Sequence, residues 1–227
     1  MASKLDPICY LCGDAVERSP RDADMRLSMD HIRPRQFFPQ PLRKQVNPNL
    51  DVVPSHKRCN NGYKDDEDYF YASLYPLVAN GNAPMAKVIF SDFIRRSRKK
   101  QTPAMLRNIF SSASGISAGG IILPRGKIEV LVDEARIQRV AGKIARGALF
   151  MARGVYTPES DIVDMRLCEQ EAEVPAMYQL SWRATDMEGR YPQVFSYRHF
   201  PIEDHHILSL MFWGAFMFCI TIRDNGS

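Results

Sequence analysis

No stretch of this chain approaches the roughly 20 consecutive apolar residues that a membrane helix needs. The most apolar run, Ile207 to Ile222, is broken by Ser209 and Gly214 and is rich in aromatics, so it is expected to be buried strand or core helix rather than a membrane span. The opening Met-Ala-Ser-Lys-Leu-Asp-Pro has no apolar signal segment, which points to a cytoplasmic location. Cysteine is sparse: five in 227 residues, too few and too scattered for a disulfide framework in such a compartment. An excess of one charge is also lacking. The net charge of +4 is weak grounds, taken whole, for a nucleic-acid partner. Internal repeats and low-complexity tracts are absent. With 45% hydrophobic and 25% charged residues, the composition is that of a folded chain with a real core, in one large or two small domains.

What is there concentrates near the N-terminus. Cys9 and Cys12 form a Cys-x2-Cys pair, and His56 and Cys59 form a His-x2-Cys pair. Structural zinc takes four ligands, so each pair supplies half a tetrahedral site. His56 and Cys59, one turn apart at the start of a helix, project to one side. Such a staple would fasten the N-terminus to a unit too small to be held by its own core. Cys168 and Cys219 stand alone and are expected to be buried small hydrophobes.

Between the half-sites lies Asp30-His31-Ile32-Arg33-Pro34, and Asn60 directly follows Cys59. Phosphodiester hydrolysis needs an activated water, charge stabilisation and help for the leaving oxygen. A histidine can deprotonate the water while one divalent ion serves the other two needs. With a reference pKa near 6.5, imidazole can do this at neutral pH. Asp30 offers a hard oxygen suited to Mg2+ or Mn2+.

Along the chain, Leu27–His31 reads as a strand ending at the Asp-His pair, with a Pro-, Gln- and Arg-rich loop after it. Leu50 to Val53 reads as a second strand, and Ser55 as the N-cap of a helix from His56 to about Leu74. Helices follow over 85–97 and 103–110, then a Ser/Gly/Ala-rich linker at 111–120 and a hairpin over 121–132. Asp133 caps a helix from Glu134 to about Arg153. Its apolar stripe is Ile137, Val140, Ile144, Ala148 and Met151, and the neighbouring Arg136, Arg139, Lys143 and Arg146 are read as a solvated flank. Strands are expected at Tyr178–Ala184, Gln193–Tyr197 and Phe216–Ile222. The domain division is 1–78, a helical basic connector at 79–115, and a C-terminal α+β region with antiparallel strands at 116–227.

The fragments Cys9-Tyr10-Leu11-Cys12-Gly13, Asp30-His31-Ile32-Arg33-Pro34-Arg35 and Val53-Pro54-Ser55-His56-Lys57-Arg58-Cys59-Asn60 resemble those of the HNH endonucleases, which carry a ββα-metal fold. The resemblance covers roughly residues 7–70. It implies an α+β chain whose first part is a zinc-stapled ββα module. It also implies that His31 is the general base, that Asp30 and Asn60 hold a catalytic Mg2+ or Mn2+, and that Cys9, Cys12, His56 and Cys59 hold structural Zn2+. Two positions depart from the pattern. His56 stands where a cysteine is usual, an exchange zinc tolerates. The central Asn, which braces the loop carrying the base, has Asp51 in its usual place with Asn49 and Asn47 nearby, and Asn49 is favoured for the role.

The function expected is therefore metal-dependent cleavage of DNA, with RNA not excluded, in a setting such as bacterial or phage defence. No membrane partner is expected, and self-association is compatible with the sequence. The alternative is a zinc-stabilised protein that binds nucleic acid or another partner on a degenerate HNH scaffold. Arg95 to Lys100 is a dense basic cluster that could hold a strand or simply be solvated at a helix end. The C-terminal aromatics are read as core. His199, His205 and His206 have no matching partners, and the His-His pair after Glu203-Asp204 is read as a surface turn.

Overall fold

The computed structural model describes residues 7–17, 20–33, 35–40, 42, 50–79, 85–98, 102–125 and 128–225. Strand β1 (Leu27–His31) forms where expected and pairs antiparallel with β2 (Val52–His56), placing Asp30 opposite Val53 and His31 opposite Val52. The second strand runs later than Leu50–Val53. Ser55 is therefore not a helix cap: it lies inside β2, and its Oγ donates to Ser28 O at 3.1 Å. His56, whose amide donates to Cys9 Sγ at 3.4 Å, stays extended (φ −73°, ψ 144°) and delays the helix start by one residue.

The helix expected over 56–74 is two helices, α1 (Lys57–Asn61) and α2 (Lys64–Ala79), parted at Gly62 and Tyr63. Asp65, Asp66 and Glu67 occupy the first turn of α2, where the helix dipole favours anions. Helices α3 (Ala86–Ser97) and α4 (Thr102–Phe110) follow. Among the described residues of 111–132 only isolated bridges form, Ser114 with Glu129 and Ile116 with Ile122, in place of a regular hairpin.

Helix α5 (Glu134–Arg153) matches its expected bounds because both ends carry local signals. Asp133 accepts from the Arg136 amide, and Gly154 closes the helix at φ +73°, a conformation glycine adopts without strain. The apolar stripe is buried through Ala148, whereas Met151, its last expected member, is exposed. The neighbouring basic stripe departs further from expectation. Lys143 and Arg146 are buried rather than solvated.

The C-terminal part is an antiparallel sheet of order β3-β7-β6-β5-β4, built from Ile162–Cys168 (β3), Glu188–Tyr191 (β4), Phe195–Ile202 (β5), His205–Phe212 (β6) and Phe216–Arg223 (β7). The apolar run 207–222 is thus a hairpin, turned by Trp213 (φ +52°) and Gly214 (φ +65°) as primed hairpin turns require. The strand expected at Tyr178–Ala184 is instead helix α6 (Ala176–Ala184). Its aromatics explain the exchange. Tyr178 and Trp182, four residues apart, both reach the sheet, through Tyr178 OH to Thr221 Oγ1 at 2.8 Å and Trp182 Nε1 to Ser209 Oγ at 3.1 Å. Leu180, which a strand would place on their side, is exposed.

The main hydrophobic core draws on both sheets and on helices α2 to α5, and a smaller one, with Tyr178, Cys168, Ile207, Met217 and Cys219, lies between α6 and the sheet. Phe37, after β1, stacks on Phe70 of α2 and meets Phe212 and Trp213 edge-on, while Trp213 Nε1 donates to Phe37 O at 3.0 Å. These aromatics clamp the β1–β2 unit onto the sheet, and the C-terminal aromatics are core as expected. Among the described residues, no helix is long and apolar enough to cross a membrane.

Candidate functional site

The Cys-x2-Cys segment is a tight turn. The Gly13 amide donates to Cys9 O and the Cys9 amide to Asp14 O, both at 2.8 Å, and Gly13 has φ +84°. A Cβ there would lie 2.8 Å from the Tyr156 ring, so only glycine fits. The Tyr10 amide donates to Pro54 O at 3.1 Å and ties this turn to β2. The ligand atoms of Cys9, Cys12, His56 and Cys59 consequently gather within 4.8 Å of one another.

Within the cluster, His56 Nδ1 lies 3.4 Å from Cys12 Sγ and 3.9 Å from Cys59 Sγ. Its Nε2 lies 3.3 Å from Ala15 O. With the proton on Nε2 facing that carbonyl, Nδ1 would be the nitrogen offered to a metal, a common outer-shell arrangement. Burial pushes the Cys12 thiol up to about 12 and raises Cys59 as well, so a bound cation is what would keep them as thiolates. Three sulfurs and one imidazole are a donor set that suits zinc.

Asp30 and Asn60 come together beside this cluster, and His31 follows Asp30 at the end of β1. Asp30, on β1, is buried, and the Tyr10 hydroxyl donates to its Oδ2 at 2.6 Å. Asn60, on α1, faces the same carboxylate. With its nitrogen turned inward, the amide donates to Asp30 Oδ1 at 3.0 Å and Oδ2 at 3.3 Å. Turned the other way, it presents its oxygen to that carboxylate and its nitrogen to Ser28 Oγ at 3.4 Å. His31, next along β1, is half-buried, and its Nδ1 is a buried nitrogen without a hydrogen-bond partner among the described residues. Burial, and secondarily Arg35 and Lys143, depress its pKa below the ordinary histidine value against the pull of Asp30.

Three participants, Lys143, Glu67 and Arg33, were given no part in the site from the sequence. Lys143 Nζ, with no exposed side-chain surface, lies 2.9 Å from Asp30 Oδ2 and 2.6 Å from Glu67 Oε1. Burial disfavours that ammonium, but the two carboxylates outweigh it and raise its pKa. Around this pair, Arg136 Nε meets Asp66 at 2.6 Å, Arg139 also binds Asp66, and Arg139 lies over the Tyr63 ring. Arg33 pairs with Asp51, the residue weighed against Asn49, just beyond His31, and the Ile32 amide donates to Asp51 O at 3.2 Å. Asn49 and Asn47, candidates for the bracing position, lie outside the described residues. The only sequence signal for Lys143 was its position in a basic row flush against an apolar stripe.

Two other expected features are corrected. In the basic cluster, Arg95 and Arg96 turn onto Asp92, and Arg96 is buried against the Tyr71 ring, while Lys99 and Lys100 lie outside the described residues. His206 is not in a surface turn. It is buried in β6, 3.0 Å from His199 and 2.7 Å from Arg153. Cys168 and Cys219 are buried, as expected. Comparisons with models of known protein families, with curated proteins and with solved structures find no match to this chain.

Proposed function

We propose that this chain is a metal-dependent endonuclease of the HNH kind that hydrolyses DNA phosphodiester bonds, with His31 as general base and one Mg2+ or Mn2+ on Asp30 and Asn60. The observation that carries the reading is the meeting of Asp30 with Asn60, which directly follows Cys59 of the cluster, while His31 directly follows Asp30. Oxygens sharing an octahedral Mg2+ at about 2.1 Å lie about 3 Å apart. The inward orientation of the Asn60 oxygen meets that spacing at Asp30 Oδ1.

Such an ion would supply charge for the developing phosphorane and for the leaving oxygen. The chain's own residues do the rest. His31 is neutral at physiological pH because its pKa is depressed, and its Nδ1 has no hydrogen-bond partner among the described residues. A neutral imidazole can take a proton from water. Asp51, paired with Arg33 and bonded to the strand end through its carbonyl, holds the backbone that carries His31. The Cys/His cluster, with zinc, fixes where α1 begins and therefore where Asn60 points.

A second reading is favoured by one observation. The Lys143 ammonium already neutralises Asp30, as in a scaffold that binds nucleic acid without cutting it. The test is cleavage of supercoiled plasmid with Mg2+, with and without EDTA, beside His31→Ala. The nuclease reading expects nicked or linear product from the wild type, loss of at least about a hundredfold in the variant, and unchanged zinc content. Equal cutting by the variant, or Mg2+-independent binding without any product, would reject it in favour of the second.

A further inference from the structure

Helix α5 approaches β1 unusually closely at one point. A Cβ on Gly147 would lie 3.1 Å from Ile32 Cγ1 and 3.4 Å from the Tyr10 ring, so glycine lets the helix backbone settle beside the residue that follows His31. One turn earlier the same face delivers Lys143 into the interior, where it bridges Asp30 of β1 and Glu67 of α2. An ammonium buried this deeply costs solvation that only specific partners offset. Both of its carboxylate bonds are short and charge-assisted. With Tyr10 also on Asp30 Oδ2, that oxygen is occupied twice, and Oδ1 is left facing Asn60.

We propose that Lys143 is a positioning residue for the divalent ion: by engaging Asp30 Oδ2 and anchoring to Glu67, it fixes the carboxylate so that Oδ1 is presented beside Asn60. This rests on the nuclease reading above. Its consequence is that the expected module of residues 1–78 does not contain its whole site. The C-terminal part supplies a working residue through α5.

The test is Mn2+ binding followed by electron paramagnetic resonance, with zinc already loaded and the site identified by loss of the signal in Asp30→Asn. The informative variant is the double substitution Lys143→Met with Glu67→Gln. The wild-type cluster of Asp30, Glu67 and Lys143 carries one net negative charge, and Asp30 alone carries the same in the double variant. A change in affinity therefore reports geometry rather than charge. Weakening of Mn2+ binding by about 10- to 100-fold is expected, as for loss of an outer-shell partner, with zinc content unchanged.

Unchanged Mn2+ affinity in the folded double variant overturns the role of Lys143 and leaves the nuclease reading standing. A wild type that binds no Mn2+ through Asp30 overturns the nuclease reading and this inference with it. Should the double variant not fold, Lys143→Arg decides the matter. It keeps the charge but cannot place a compact ammonium between two carboxylates, so wild-type Mn2+ affinity in that variant also overturns the proposal.

Discussion

The Tyr10 hydroxyl donates to Asp30 Oδ2 at 2.6 Å from a position in the turn between Cys9 and Cys12. One residue therefore joins the Cys/His cluster to the carboxylate beside His31. Its ring is fully buried and packs against Phe150 of α5, so the link is held from three sides. Burial, with Asp30 adding to it, raises the phenol pKa, which keeps Tyr10 a donor throughout the range in which the protein works.

Tyr10→Phe deletes this bond without changing shape. Because the acceptor is a buried carboxylate, the cost should be about 1.5–3 kcal/mol, read as a lower urea midpoint with an unchanged slope. Zinc content should stay at its wild-type value, since no ligand is altered. Stability equal to wild type would mean that Asp30 draws nothing from Tyr10.

Metal at the Cys/His cluster should be structural. Replacing Zn2+ with Co2+ should produce the visible bands of tetrahedral thiolate coordination, and Cys59→Ser should weaken them. Chelation should lower the melting temperature sharply, because the small β1–β2–α1 unit depends on the staple. Absence of thiolate-to-cobalt bands in protein with reduced cysteines would refute the four-ligand assignment.

The pH dependence of cleavage should follow His31. The active form is the neutral imidazole, and its folded pKa lies below the ordinary value of about 6.5. The acid limb of kcat/KM should therefore fall below that value, with activity retained where a solvent-exposed histidine would already be protonated. The same shift bears on stability with a definite sign. Below about pH 6.5 the unfolded chain takes up a proton that the folded chain resists, so the contribution of His31 is complete above that pH and declines as pH falls towards the folded pKa. A limb at or above 6.5 would exclude His31 as the base.

Much of the site was legible because its signals are local. Ligand spacing over a turn, an Asp-His pair ending a β-rich segment, and Asp133 and Gly154 bounding a periodic helix each express geometry within a few residues. Errors arose where local signals compete. Ser55 has good capping chemistry, but the pairing of β2 and the amide contact from His56 to Cys9 claim the backbone first. The aromatics of 178–184 favour strand by propensity, yet the contacts of Tyr178 and Trp182 with the sheet select a helix.

By itself the sequence determined the four members of the Cys/His cluster, the Asp30, His31 and Asn60 candidates, and a mixture of helices with antiparallel strands. Only the tertiary structure decided what surrounds Asp30. Whether a lysine in an amphipathic helix is solvated or buried depends on which strand and which acidic helix turn that helix meets, and no local period encodes the meeting. Gly147 permits the close approach, Glu67 and Asp30 supply the counter-charges, and Lys143 is buried as a result.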